Sequence, residues 1–269
     1  MKQYQRDSFL RNFLRNPLVG LFFWLLILVS VWEAVVRARL TPSYILPPFS
    51  KVMGTLLNEM VHGNLPIQTG RSLLNLIEAV GFSLAMSLLA VYLCLKSKVF
   101  DSLFGTIALV FNSIPSMAIM PLIIMWFGID NLAILIIVAH SVLWTFAIHL
   151  NGAMKAIPKI YKDFANNIQL GILAKMNDIY LPAILPAVAA GLKIAWGRGW
   201  RSLIGAEIVF GAIGSVGGLG YFININRING NMAAVMSGIV VIAAIGIMVE
   251  YLVFNRLDAI MRKQNIIHD

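Results

Sequence analysis

The chain has 269 residues, of which 59% are hydrophobic and only 12% charged, with a mean hydropathy of +0.82. Soluble domains carry about 25% charged residues, so this composition excludes a water-soluble globular protein and requires an integral membrane protein. The net charge of +9 does not point to nucleic acid, because the basic residues are scattered between apolar runs and form no patch with interleaved aromatics.

A helix crosses the hydrocarbon in about 20 apolar residues. Six segments reach that length, at 17–36, 72–95, 102–129, 131–151, 183–208 and 231–254. Ahead of the first lie Lys2, Arg6, Arg11 and Arg15. This resembles a signal peptide, but the apolar run is too long for one. Glu33-Ala-Val-Val-Arg37 also offers no small-residue cleavage site, so span one is expected to stay as an uncleaved helix. Next, Leu46-Pro47-Pro48-Phe49-Ser50 leads into 51–62, where Val52, Leu57, Met60 and Val61 approximate a helical stripe. An interfacial helix is expected there.

The third span contains Pro115 and Pro121. Proline removes a backbone donor and kinks a helix, so a bent or broken span is expected, tolerated where a cavity or neighbouring helices satisfy the freed carbonyls. In span four, His140 and His149 are too far apart in sequence to ligate one metal jointly, and they read as packing residues. The single cysteine, Cys94, rules out an intrachain disulfide or a multi-cysteine metal site.

Residues 154–182 run polar between two apolar spans, through Lys155, Lys159, Lys162, Asp163, Asn166, Asn167, Gln169, Lys175, Asn177 and Asp178. Such a stretch lies in water and has too little apolar surface to fold alone, so it is expected to dock onto a partner. Span five carries Lys193, Arg198, Arg201 and Glu207. A charge at mid-membrane costs about 2.5–3.5 kcal/mol on insertion scales, so these groups face protein or water. Helical geometry puts Arg198 and Arg201 about 60° apart, with Lys193 on the same half of the helix. Two uses remain open: a cationic pathway for an anion, or a structural network in which Glu207 pairs with Arg201 or a neighbouring helix. Trp196 and Trp200 read as packing residues. The glycine-rich run 211–220 follows a helix and not a strand, so it is no dinucleotide fingerprint. It reads as an outer loop with tight turns and close backbone approach. No phosphate-binding Gly-x-x-x-x-Gly-Lys-Ser/Thr loop is present.

Thirteen basic residues fall on the side of the N-terminus, the 154–182 stretch and the C-terminus, against five (Arg37, Arg39, Lys51, Arg71 and Arg227) on the other. The positive-inside rule then puts both termini and the polar stretch in the cytoplasm.

The polar stretch resembles the cytoplasmic "EAA" loop of ATP-binding-cassette importer permeases. Asp163 stands in the acidic position, Ala165 in the second small position, and Ile179, Leu181 and Pro182 at the offsets of the closing Ile-x-Leu-Pro. Phe164 and Gln169 depart from that pattern, and Gly171 comes two residues late. The motif Ile114-Pro115-Ser116-Met117-Ala118-Ile119-Met120-Pro121-Leu122, then Trp126-Phe127-Gly128, Gly197-Arg198-Gly199-Trp200 and Ala206-Glu207, is similar to the nitrate/sulfonate/taurine branch of these permeases.

The resemblance implies an all-α fold of six membrane helices, the MetI-like bundle, in one permease domain over 1–269 with its core at about 65–255. It implies the membrane subunit of an importer in a bacterial cytoplasmic membrane, paired as a homodimer. Two ATPase subunits would sit inside and a solute-binding protein outside, with no cofactor in this chain because ATP and Mg belong to the ATPase. A coupling helix would draw on Asp163, Phe164, Ala165, Ile168, Gln169, Leu170 and Gly171, with Ile179, Leu181 and Pro182 leading into span five. Pathway candidates are Pro115, Pro121, Lys193, Arg198, Arg201 and Glu207. A self-sufficient secondary transporter would be expected to show internal repeats around broken helices, and none is visible. A membrane scaffold would leave the register of the polar stretch unexplained.

Overall fold

The computed structural model describes residues 17–167, 171, 174–212 and 217–263. The described residues are helical, with no strand among them. Contacts divide the chain into two compact units, one of Met1–Gly63 with Asn226–Ser237, the other of Asn64–Ile225 with Gly238–Asp269.

In the first unit, α1 (Pro17–Arg37) is apolar on every face up to Val29. Phe22, Leu26 and Leu28 stand exposed, as a lipid-facing helix requires because its own ladder satisfies the backbone. Helix α2 (Phe49–Val61) is the expected short helix after the Pro-Pro pair. Pro48 starts it with φ −57°, preset for a helix entry. Helix α1 holds it through Trp32, whose Nε1 donates to the Pro47 carbonyl at 3.1 Å. Glu33 accepts from the Ser50 amide at 3.1 Å and the Ser50 hydroxyl at 2.9 Å. A carboxylate at a helix start favours its unpaired amides.

The second unit is built on three long helices, α3 (Leu65–Lys96), α6 (Asn131–Ala156) and α8 (Leu181–Phe210). Membrane helices approach closely where small residues line the contact, and the buried face of α3 is of that kind: Ser72, Ala79, Ser83 and Ser87. Ser87 Oγ lies 3.1 Å from the Leu143 carbonyl of α6. On α8, Gly191 lies against His149, which is a packing residue as expected, and Gly199 lies against Val142 and Leu76. A Cβ at Gly199 would come 2.8 Å from Val142 Cγ2. Gly199→Val is therefore expected to destabilise the permease by about 1–3 kcal/mol through overpacking. A thermal-unfolding midpoint in detergent equal to that of the wild type would refute this contact.

The third span is broken. Helix α4 (Lys98–Ser113) stops before Pro115, a 3₁₀ turn covers Ser116–Ile119, and α5 (Met120–Phe127) resumes with Pro121 in its first turn, where proline costs nothing. The two helices meet at 88°. By length and composition, the described chain has five helices able to cross a membrane, or six if this bent pair is one span.

The polar stretch is more helical than the sequence suggests. Helix α6 continues to Ala156, α7 covers Lys159–Asn167, and a π-helical turn at Lys175–Tyr180 runs into α8. Tyr180 keeps helical dihedrals, φ −75° and ψ −47°. Pro182 therefore occupies the first turn of a continuing helix and does not turn the chain. After α8, helix α9 (Leu219–Ile228) starts at the end of the glycine-rich run read as loop, followed by α10 (Met232–Val249), a π-helical turn at Glu250–Phe254 and α11 (Asn255–Lys263).

Candidate functional site

The proline break, α6 and span five together line an open cavity of about 360 Å³. Pro115 lies in its wall, and Pro121 does not. Arg198 and Arg201 project from α8 into the same cavity, as their spacing predicts. The Arg198 guanidinium is fixed from two sides: Nη1 donates to Asn112 Oδ1 at 2.8 Å and to Thr145 Oγ1 at 2.9 Å. Both partners are neutral, so the positive charge is oriented without being cancelled. Arg201 has no hydrogen bond or ion pair among the described residues. Among the described residues, no Asp or Glu lines the cavity.

Hydroxyls complete the polar wall. Ser116, at the break, and Ser202, on α8, lie 2.9 Å apart, which ties the broken span to span five. His140 also lines the cavity, and both of its ring nitrogens are buried without a hydrogen-bond partner among the described residues. That differs from the expected satisfied packing histidine. Phe111, Ile114 and Met117 add apolar groups to the lining.

The other two charged residues of span five lie elsewhere. Lys193 forms an ion pair with Glu250 of the last span. Glu207 does not meet Arg201. It is fully buried and bonds across to α3 and α9. Its Oε2 accepts from Ser72 Oγ at 2.7 Å and from the Gly220 amide at 3.0 Å, while Ser72 Oγ accepts from the Leu219 amide at 2.8 Å. Leu219 and Gly220 begin α9, whose first amides have no partner within their own helix. The acid and the serine cap that helix from two other helices, which favours a carboxylate there. The glycines beside it are required: a Cβ at Gly218 would strike the Glu207 carboxylate, and one at Gly220 would lie 2.6 Å from the Ile204 carbonyl. The close backbone approach read from the glycine run is therefore present.

On the polar stretch, Asp163 and Phe164 are exposed on α7, and Gly171 is exposed beyond it. Ile160, Tyr161 and Phe164 present 73%, 53% and 55% of their surface. Ile179 and Pro182 are half-buried, and Leu181 is exposed. Ile168, Gln169 and Leu170, and the side chain of Ala165, lie outside the described residues. Asp101, at the start of α4, binds Lys155 at 2.6 Å and Asn151 at 3.1 Å near the end of α6. These two helix ends are pinned beside the polar stretch, a contact that the sequence does not reveal.

The family model described as "Binding-protein-dependent transport system inner membrane component" matches residues 72–265. The chain is 26% identical over 238 residues to the taurine transport system permease protein of Escherichia coli, covering 84% of this chain and 82% of that protein. It is 25% identical over 228 residues to a nitrate import permease protein of Synechococcus elongatus, covering 81% and 80%. A Bacillus subtilis permease named for aliphatic sulfonates transport is 23% identical over 224 residues, covering 82% and 78%.

Proposed function

This chain belongs to the family of binding-protein-dependent transport system inner membrane components, the transmembrane subunits of ATP-binding-cassette importers, and we propose that it conducts a small anion past Arg198 and Arg201. The observation that carries this is a cavity with two guanidinium groups and, among the described residues, no carboxylate in its wall. In a low-dielectric surrounding, one fixed positive charge a few ångströms away lowers an anion's energy by several kcal/mol. Taurine, nitrate and aliphatic sulfonates, which the relatives' names give as solutes, all carry an oxyanion.

Two copies of the chain pair around the pathway in this proposal. Arg198 and Arg201 are both exposed on the single chain, and a lipid-facing arginine at mid-membrane is disfavoured by about 2.5–3.5 kcal/mol. A second copy enclosing a water-filled passage removes that cost. Two ATPase subunits bind at α7 on the cytoplasmic side, where both termini also lie. A solute-binding protein delivers the anion from outside, and the complex sits in a bacterial cytoplasmic membrane. ATP and Mg are held by the ATPase. Lys193, paired with Glu250, and Glu207, capping α9, hold the helices around the pathway and do not line it.

Reconstituted complex with its ATPase and binding protein, supplied with a sulfonate, taurine, nitrate or bicarbonate, tests this directly. Arg198→Gln and Arg201→Gln are each expected to slow ATP-driven uptake of the transported anion at least tenfold, with unchanged anion binding to the external protein. Full uptake in both variants would overturn the cationic pathway. A purified complex with one permease copy would overturn the pairing.

A further inference from the structure

Helices α4 and α6 are tied to each other at two points. At the end beside α7, Lys155 Nζ donates to both carboxylate oxygens of Asp101, at 2.6 Å and 2.7 Å. Asn151, one turn earlier on α6, donates from Nδ2 to the same carboxylate at 3.1 Å. At the cavity, Thr145 Oγ1 donates to Asn112 Oδ1 at 3.2 Å, and that oxygen also holds Arg198. Between the two ties, Trp144 lies against Phe104 and Phe111, with ring centroids 6.1 Å and 5.3 Å away. Helix α4 is unbroken over this length, so Asp101 and Asn112 mark the ends of one rod about 16 Å long.

The first tie adjoins the polar stretch. Helix α6 ends at Ala156 and α7 begins at Lys159, so only Ile157 and Pro158 separate them. Ile157 is buried and extended, with ψ 119°, as the residue before a proline prefers, and Pro158 fixes its own φ. A displacement of α7 therefore reaches the last turn of α6, where Lys155 stands. Packing does not account for this tie. The Lys155 side chain is 53% exposed and that of Asp101 25%, and an ion pair in such a setting adds little stability. Yet Asn151 turns its donor to the carboxylate and leaves its own Oδ1 buried without a partner among the described residues, a costly arrangement.

We infer that Asp101, Lys155 and Asn151 form a clasp that carries a displacement of α7 along α4 to the proline break. Asn112 and Ser113, at the far end of that rod, line the cavity and move with it. Asp101 and Lys155 are positioning residues, since neither lines the cavity. The clasp rests on the reading of α7 as the ATPase contact and adds the route from that contact to the pathway.

The test uses the permease–ATPase complex in lipid nanodiscs, with Ser113→Cys as a reporter at the cavity end of α4. Its labelling by a water-soluble maleimide is followed with and without ATP and vanadate. Cys94 is buried, and each variant without the reporter supplies the blank. With the clasp intact, nucleotide trapping is expected to change the labelling rate by about fivefold or more. Asp101→Asn is expected to abolish that change while ATPase retention and ATP hydrolysis stay normal, a separation that a merely stabilising ion pair would not produce. Asp101→Lys should abolish it too. Adding Lys155→Asp to that variant restores an ion pair and should recover the response. An unchanged response in Asp101→Asn, no recovery in the double change, or no response with the clasp intact would overturn the clasp. If Asp101→Asn fails to assemble, Lys155→Met, which leaves the carboxylate bonded to Asn151, decides by the same comparison. ATPase retained in Phe164→Asp would sink the reading of α7, whereas its loss there beside an unchanged response in Asp101→Asn would sink the clasp alone.

Discussion

Phe164→Asp on α7 is expected to release the ATPase from the complex and bring ATP-driven uptake to background, while the permease still inserts in normal amount. Helix α7 spans nine residues, too few for a helix to be stable alone in water. Ile160 and Phe164, one turn apart, put an apolar edge on its surface, joined by Tyr161. In a segment that is otherwise polar and lies between two spans, exposed apolar groups mark a protein contact, and a short amphipathic helix in a groove is a common form of one. An aromatic anchor at the centre of such a contact is worth about 2–4 kcal/mol. A loss of about 3 kcal/mol weakens binding more than a hundredfold, before the cost of burying the new charge is added. Phe164 is exposed on the single chain, so the substitution leaves the membrane core intact. The readouts are ATPase retained per permease on purification and uptake in proteoliposomes. Normal retention with normal uptake would remove α7 as the coupling contact.

Glu207→Ala is expected to destabilise the permease by about 3 kcal/mol or more and to loosen α9. The substitution strips the acceptor from the Ser72 hydroxyl and the Gly220 amide, and each buried donor left unsatisfied costs about 1–3 kcal/mol. A cavity where the carboxylate stood adds to that. Hydrogen exchange at the start of α9 should accelerate, because the Leu219 and Gly220 amides lose their caps or the group that orients them. Pairing the change with Arg198→Gln or Arg201→Gln should restore nothing, since neither arginine touches Glu207. Rescue of folded yield by either pair would contradict the geometry. So would a thermal midpoint and exchange rate for Glu207→Ala equal to those of the wild type.

The residues of span five mark the boundary between what sequence and structure each decide. Helical spacing alone puts Arg198 and Arg201 on one side of α8, and both enter one cavity. Their partners were not legible. Asn112 and Thr145 are separated from Arg198 by 86 and 53 residues, and Ser72 from Glu207 by 135. Nothing in local periodicity links such positions. His140 carried no distinguishing signal, because an isolated histidine on an apolar helix is usually a packing group. Its two unpartnered nitrogens are visible only once the neighbours are placed. Helix α9 begins inside the glycine-rich run, at Leu219 and Gly220, where glycine weakens helix propensity, and the caps that start it come from α3 and α8.

By itself the sequence determined the membrane spans and the break in the third. A hydrophobic length is a local property of the chain, and proline acts on its own backbone wherever it stands. Only the tertiary structure decided which charges are bound and which stand free. Lys193 finds Glu250, Glu207 finds the start of α9, Arg198 finds two neutral oxygens, and Arg201 is left open among the described residues. That sorting depends on how three helices approach through Ser83, Ser87, Gly191 and Gly199. In a medium without water, a polar side chain is satisfied or left wanting by whatever the packing brings within about 3 Å of it.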